Sequence, residues 1–329
     1  MRVLRFLLLA VPIIATNACG ASEDGDPERL PGAPAAPGAS TETNANDPPG
    51  TTSPSDVDAA AGGDGQNDAG PPAKEPDIDS IAWETGAAIG NGVAHKSTQN
   101  PLGNNAAIVY AGFGVSLTAA RGWATALYRA QLRDRGVREL WAVQGPNLVE
   151  YQNREIGNSK IAASLVAKVS ASTKFVLVLG HSSGSFVAHE LLGQLEGDLD
   201  PTNVTDGKVV YFDLDGGQSG LSAPIVARLR KAYFVVPFDK TTGTRGFNTN
   251  TMKSLGTTYA SKGGSFEVDA SSSGCKAGAN ECVHVSLVNA HPHDSSKAMA
   301  EADYGMFDAT HPVNVAYLTT KAAEAGVVK

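Results

Sequence analysis

From residue 105 onward, short runs of apolar residues alternate with longer stretches in which apolar residues recur every three to four positions. Uninterrupted apolar runs are typical of strands in a parallel sheet covered on both faces, and the longer period is typical of amphipathic helices. The run at 175–179 (FVLVL) is apolar throughout and predicts the clearest strand. Further strands are predicted at 106–111, 137–143, 209–214, 232–238 and 265–270.

Helices are predicted between these strands. The stretch 117–135 has helical periodicity and is followed by Gly136, a residue typical of a C-terminal cap. Other helices are predicted at 156–170, after Gly184, and at 221–231, 249–260 and 312–325. Strands followed in turn by helices predict one α/β domain over 80–329, with a mostly parallel central sheet and helices on both faces. Residues 80–104 fit either an edge hairpin or an approach to the sheet.

Residues 1–19 have the pattern of an export signal, with Arg2 and Arg5 before an apolar stretch that is too short to span a bilayer. The segment ends in Ala18-Cys19, which resembles the end of a bacterial lipoprotein signal, although Thr16-Asn17 depart from the usual residues. That resemblance implies lipidation of Cys19 and a membrane contact through the lipid alone. Cleavage near Ala18 and simple secretion is the alternative, so the protein is predicted to be exported in either case.

Residues 20–79 contain no Phe, Trp or Tyr and are rich in Pro, Gly, Ala, Ser, Thr, Asn and Asp. Such a composition cannot bury enough apolar surface to fold, so a disordered tether is predicted, with a pro-segment or low-complexity tail as the alternative. This segment holds 13 acidic residues and two basic ones, whereas the whole chain has a net charge of −8. The remainder is therefore nearly neutral, which argues against a nucleic-acid partner because that would require a basic face.

The chain has three cysteines. If Cys19 is lipidated or removed, Cys275 and Cys282 remain, seven positions apart in a loop rich in Gly and Ala. Because exported proteins meet oxidising conditions, a disulfide between them is predicted, with two free thiols as the alternative. A zinc site is disfavoured, because the chain has no CxxC spacing.

The motif Gly180-His181-Ser182-Ser183-Gly184 lies between the clearest strand and a predicted helix. A serine held on a sharp strand-to-helix turn requires small residues two positions before and two positions after it. Gly180 and Gly184 satisfy this requirement for Ser182, whereas Ser183 has His181 and Ser185 at those positions. The pattern predicts Ser182 as a nucleophile; the alternative is a glycine-rich turn in which Ser182 caps the helix.

A serine nucleophile also requires groups that stabilise the oxyanion formed during attack. The backbone N–H of Ser183, at the start of the following helix, is one predicted donor. The second is predicted at Phe113, in the turn Gly112-Phe113-Gly114 that follows the strand at 106–111. A plain glycine turn is the alternative there.

With these motifs, residues 104–329 resemble the α/β-hydrolase superfamily in the order of their strands and helices, and GHSSG is the one specific motif. The stretches GHSSGSFVAHELLGQL and VVYFDLDGG are similar to those of exported bacterial hydrolases of unassigned substrate. The resemblance implies a triad in the chain order Ser, Asp or Glu, His. It implies neither a cofactor nor a metal.

Three carboxylates at the ends of predicted strands fit the acid of such a triad by position, Asp213, Asp215 and Asp239, and Asp215 is favoured slightly over Asp239. Gly216 and Gly217 would let a partner loop approach Asp215 closely. Asp213 lies inside the strand and is expected to point elsewhere, because neighbours on a strand alternate faces. The carboxylate that is not the acid is expected to cap a turn.

Four histidines follow these acids in the chain: His284, His291, His293 and His311. His284 is favoured as the base because it follows the last predicted strand, in a loop that the predicted disulfide would stiffen; His293 and then His291 are the alternatives. A competing hypothesis makes His284, His291 and His293 the ligands of a metal ion. His181 and His189 are interpreted as structural, with the His181 side chain directed away from the site.

These observations predict an exported serine hydrolase that acts on a small-molecule or polymer ester, in preference to an amide, through an acyl-enzyme. Two alternatives stay open. One is a cell-surface binding module that keeps the fold without the chemistry, and the other is an acyltransferase that uses the same serine.

Overall fold

The computed structural model describes residues 77–147, 155–197, 199–217, 223–288, 321 and 324–325. Within these ranges a mixed sheet of nine strands has the order β1-β2-β4-β3-β5-β6-β7-β8, with β9 also paired to β7. The strands are β1 Glu84–Gly86, β2 Gly90–Ser97, β3 Asn105–Tyr110, β4 Val137–Val143, β5 Val176–His181, β6 Val209–Leu214, β7 Lys231–Asp239, β8 Thr244–Arg245 and β9 Gly263–Asp269.

Most strand pairs are parallel. The pairs β3–β4, β3–β5, β5–β6, β6–β7 and β7–β9 are parallel, whereas β1–β2, β2–β4 and β7–β8 are antiparallel. The predicted α/β class with a mostly parallel sheet is thus confirmed. Of the two alternatives for residues 80–104, the structure has the edge hairpin, formed by β1 and β2. The short strand β8 was not predicted.

The helices of the described residues are α1 Leu117–Leu127, α2 Asn158–Lys168, α3 Gly184–Glu196, α4 Ala223–Arg228, α5 Thr249–Thr258 and α6 Asn280–Val285. The predicted helix at 117–135 is α-helical only as far as Leu127, and continues as a π-helical turn, Tyr128–Leu132, and a 3-10 turn, Arg133–Arg135. Gly136 ends it with a left-handed φ of 67°, as the C-cap prediction expected.

Alternating side chains along the strands build two apolar layers, one on each face of the sheet. Val109, Leu179 and Phe212 belong to the layer that also contains Trp123 of α1. Their neighbours in the strands, Ile108, Val178 and Tyr211, belong to the layer that contains residues of α2, α3 and α5. Helices therefore cover both faces, which explains why the central strands are apolar without interruption.

The parallel strands β3, β5 and β6 are adjacent, so their carboxyl ends meet at one edge of the sheet. The segments that follow them contain Phe113, Ser182 and Asp215. In open α/β sheets, ligands bind outside the carboxyl ends of the strands. The fold therefore collects the predicted site residues at the edge where such sites occur.

Several predictions lie outside the described residues: the export signal, Cys19 and most of the tether at the N-terminus, and His291, His293, His311 and most of the predicted helix 312–325 near the C-terminus. The packed domain begins before residue 80, because Ile78 is buried and its carbonyl accepts a hydrogen bond from Nζ of Lys96 at 2.7 Å. None of the helices within the described ranges is long and apolar enough to cross a membrane.

Candidate active site

Ser182 lies on a tight turn between β5 and α3. Its φ is 53°, a left-handed conformation that costs a non-glycine residue about 1–3 kcal/mol. Its N–H donates to the carbonyl of Leu214 at 3.1 Å, and its own carbonyl accepts from the N–H of Ser185 at 3.0 Å. The fold thus holds a strained serine between strand and helix, with its side chain half-exposed.

The glycines on either side of Ser182 lie against neighbouring backbone. A Cβ on Gly180 would lie 2.6 Å from Cα of Ser185, and one on Gly184 would lie 2.4 Å from the carbonyl oxygen of Ala111. Real Cβ atoms essentially never approach so closely, so the turn requires glycine at both positions. This crowding agrees with the prediction that small residues are required two positions before and two positions after Ser182.

Asp215 and His284 form a buried pair. Nδ1 of His284 lies 2.6 Å from Oδ2 of Asp215, and the two residues are 4 % and 0 % exposed. The carboxylate also accepts the backbone N–H groups of Phe247 and Asn248, each at 3.0 Å. Three donors therefore surround the carboxylate, which orients it towards the imidazole.

The backbone of Asp215 is held as firmly as its side chain. Its φ is 52°, and Nδ2 of Asn248 donates to its carbonyl oxygen at 2.6 Å. A Cβ on Gly246 would lie 2.1 Å from Oδ2 of Asp215, and one on Gly217 would lie 2.7 Å from Cγ of Asn248. The partner loop expected near the paired glycines is therefore the segment that contains Gly246 and Asn248.

Asp239 makes no contact with His284 in the described structure. Its Oδ1 accepts the backbone N–H groups of Thr241 and Thr242, at 2.9 and 3.0 Å, and so caps the turn between β7 and β8. Of Asp215 and Asp239, only Asp215 contacts His284 within the described residues. The role of Asp239 is the one expected of the carboxylate that is not the acid.

His284 lies on α6 rather than in a loop, which differs from the expectation. The apolar residues beside it, Val283 and Val285, are buried, and this burial favours a short helix packed on the sheet. Cys282 is on the same helix, and its Sγ lies 2.06 Å from Sγ of Cys275, so the predicted disulfide is present in the structure. The bridge ties the helix that carries His284 to the loop before it.

His181 does not point away from the site, as had been expected. Its ring centroid lies 4.6 Å from that of His284, and its Nε2 lies 3.3 Å from the carbonyl oxygen of His284. Burial, and secondarily the charge of His284, hold the pKa of His181 well below its usual range. A neutral His181 therefore packs against the imidazole of His284.

The Ser182 hydroxyl makes no hydrogen bond within the part of the chain that the structure describes. The buried pair of His284 and Asp215 therefore packs on His181, the residue before Ser182, and does not bind the Ser182 hydroxyl in the described structure. In unliganded active sites the hydrogen bond between nucleophile and base is often long and tightens when substrate binds.

The turn that contains Phe113 is held by the segment after β4. The N–H of Gly114 donates to the carbonyl oxygen of Pro146 at 3.0 Å, and the N–H of Gly145 donates to the carbonyl oxygen of Val115 at 2.8 Å. A Cβ on Gly145 would lie 1.5 Å from the carbonyl oxygen of Gly112. Within the described ranges, the N–H groups of Phe113 and Ser183 donate to no protein acceptor.

Asp213 faces away from His284, as the alternation of strand side chains predicted. Its Oδ1 accepts the N–H of Gly216 at 2.8 Å and lies 2.9 Å from Oγ of Ser185, which is also 2.9 Å from the carbonyl oxygen of Gly180. Burial raises the pKa of Asp213 to about 7. One carboxyl oxygen therefore connects α3 to the turn that contains Asp215.

His189, interpreted as structural, is buried on α3, with its ring 5.2 Å from that of Tyr211. The other contributors, Gly145, Gly246, Phe247 and Asn248, were not predicted, and only the paired glycines after Asp215 hinted at a closely packed loop. Among the residues that the structure describes, no group of three or more His, Cys, Asp or Glu side chains could hold a metal ion. His291 and His293, which the metal hypothesis requires, lie outside those residues.

Comparisons of the chain with protein-family models, with curated proteins and with solved structures found no match.

Proposed function

We propose that this protein is an exported serine hydrolase of the α/β-hydrolase type that cleaves an ester through an acyl-enzyme. The observation that carries the proposal is the buried pair of His284 and Asp215, packed against the residue that precedes a strained, half-exposed Ser182. The chain order Ser182, Asp215, His284 is that of the superfamily, and the sharp strand-to-helix turn is its nucleophile elbow. The disulfide supports export, because such bonds persist in oxidising compartments.

In the proposed mechanism, Oγ of Ser182 attacks the ester carbonyl carbon while Nε2 of His284 takes the hydroxyl proton. Asp215 holds Nδ1 of the imidazole, keeps it in the required tautomer and stabilises the imidazolium that forms. The carbon–oxygen bond to the alcohol then breaks, and the alcohol leaves with the proton from His284. Water attacks the acyl-enzyme with the same histidine as base, so one ester and one water give one acid and one alcohol.

In this mechanism the N–H groups of Phe113 and Ser183 donate hydrogen bonds to the oxyanion of the tetrahedral intermediate and stabilise its negative charge. Both belong to segments at the carboxyl ends of parallel strands, and neither N–H is used by a protein acceptor within the described residues. Preorganised donors of this kind account for a large part of an enzyme's rate enhancement, because they need no reorganisation as negative charge develops in the transition state.

The test is labelling of the purified full-length protein with a fluorophosphonate, which reacts with an activated serine. We expect labelling of the wild type, none of Ser182→Ala, and labelling of Asp215→Asn slowed by roughly 10⁴-fold, because a carboxamide favours the wrong tautomer of the imidazole. Asp239→Asn is the matched control and should label at the wild-type rate, since Asp239 only caps a turn. Labelling that survives Ser182→Ala would contradict the assignment of the nucleophile.

The same experiment separates the alternatives. A folded wild-type protein that does not label would support a non-catalytic binding module. A labelled protein that transfers its acyl group to an added alcohol faster than to water would support an acyltransferase. No contact within the described residues favours either one over hydrolysis.

A further inference from the structure

Phe247 exposes a large apolar side chain beside the proposed catalytic histidine. It is 60 % exposed, and among the described residues only Leu102 and Phe113 are other large hydrophobic side chains with comparable exposure. Leaving a phenyl group in water forfeits the stabilisation that its burial would give. The exposed position of the Phe247 ring beside His284 therefore suggests that the ring contacts a ligand.

The backbone of Phe247 is held in place by the proposed acid. Its N–H donates to Oδ2 of Asp215 at 3.0 Å, the same oxygen that lies 2.6 Å from Nδ1 of His284. On either side, Gly246 lies against Asp215 and Asn248 donates hydrogen bonds to it. The phenyl ring consequently extends from a rigid part of the site.

The ring lies against the imidazole, with centroids 5.1 Å apart and an angle of 52° between the planes. In the mechanism proposed above, His284 gives its proton to the oxygen of the departing alcohol. The carbon chain attached to that oxygen must therefore lie beside the imidazole, within reach of the exposed ring.

We infer that Phe247 forms an apolar subsite for the alcohol portion of the substrate, so that the enzyme acts on esters of apolar or aromatic alcohols. The inference rests on the proposed function, since it needs His284 to protonate the leaving group. An apolar alcohol would cover the ring and remove both apolar surfaces from water. An aromatic alcohol would add an edge or offset contact with the phenyl group.

The experiment compares ethyl acetate with 2-phenylethyl acetate in the full-length protein, because the two alcohols have similar acidity and differ in apolar size. The wild type should favour 2-phenylethyl acetate in kcat/KM on the order of tenfold, as expected when a phenyl group is partly removed from water. Phe247→Ala should abolish most of this preference, and Phe247→Leu should retain part of it. The preference between ethyl acetate and ethyl 3-phenylpropanoate, which differ in the acyl group, should not change.

Two controls separate a substrate contact from a structural role of the ring. Leu102→Ala removes a similarly exposed side chain before β3, at the opposite end of that strand from the site, and should leave the preference intact. Labelling by a fluorophosphonate expels fluoride and releases no alcohol, so Phe247→Ala should slow labelling much less than it lowers kcat/KM for 2-phenylethyl acetate. If Phe247→Ala slows labelling and all esters equally, the ring only shields the imidazole and the inference is overturned, as it also is if the preference persists. If the wild type does not label, the proposed function itself fails.

Discussion

Two carboxylates near the end of β6 have opposite environments at the scale of single residues. Asp215 faces an imidazole and two backbone N–H groups. Asp213 is fully buried, and burial raises its pKa to about 7. The hydroxyl of Ser185 has one proton for two acceptors, the carbonyl of Gly180 and Oδ1 of Asp213, so a protonated Asp213 satisfies this group of atoms better than an ionised one.

Asp213→Asn tests this difference through the pH dependence of stability. A carboxyl whose pKa is raised from 3.8 to about 7 on folding contributes stability that is complete below about pH 4 and is lost as the pH rises through 7. The wild type should therefore lose up to a few kcal/mol over this range, since one pKa unit corresponds to about 1.4 kcal/mol. The amide does not ionise, so the variant should lack this loss.

The measurement is denaturant unfolding of both proteins between pH 4 and 8. The other charged or titratable groups around Asp213 are Asp215, His189 and Tyr211, and all three are kept in the variant. Their contributions to the pH dependence should largely cancel in the comparison. Parallel stability curves for the two proteins would contradict a raised pKa for Asp213.

At the scale of elements, the segment after β4 supports the turn after β3. This support depends on Gly145, whose missing side chain lets the two segments touch. Gly145→Ala should displace the turn that contains Phe113, because the new Cβ would overlap the carbonyl oxygen of Gly112. Loss of one oxyanion donor costs about 10²–10³-fold in kcat, so we expect a fall of about that size in ester hydrolysis.

A glycine on a helix provides the control for Gly145→Ala. A Cβ on Gly193 of α3 would meet only Cδ1 of Ile225, at 3.9 Å, which is an ordinary contact. Gly193→Ala should therefore leave kcat unchanged and raise the melting temperature slightly, because alanine favours helix over glycine. If Gly145→Ala keeps full kcat, the turn after β3 does not contribute to the oxyanion site.

At the scale of the whole molecule, the two apolar layers share one sheet and should unfold together. Ile108 of β3 belongs to one layer and Leu177 of β5 to the other, and both are buried. Replacing either by alanine should lower the free energy of unfolding by about 2–5 kcal/mol, because it leaves a cavity in a packed core. Calorimetry should show one transition in each variant, shifted to lower temperature.

Separate transitions would contradict this expectation. If the Ile108→Ala variant melted in two steps, with the site lost in only one of them, the layers would be independent units. The labelling rate of the folded fraction should stay at the wild-type value in both variants, because neither side chain contacts the site.

The amino-acid sequence by itself determined the features that depend on local constraints. Apolar runs predicted the central strands because both faces of the sheet are covered. The spacing of Gly180 and Gly184 singled out Ser182; Gly180 is crowded by Ser185 of the same turn, whereas Gly184 is crowded by Ala111 after β3. The pairing of Cys275 with Cys282 was also predicted, since the two lie close along the chain. The π-helical turn Tyr128–Leu132 was not predicted, because the sequence pattern indicated only which residues of the helix are buried.

Only the tertiary structure decided which distant groups meet. Asp215 and Asp239 both end strands, and the difference between them is that the segment containing Phe247 and Asn248 folds back onto Asp215 while α6 brings His284 to the same carboxylate. These contacts join residues about 30 to 70 positions apart. Such approaches are set by the packing of whole elements against the sheet, and no local pattern of residues encodes them.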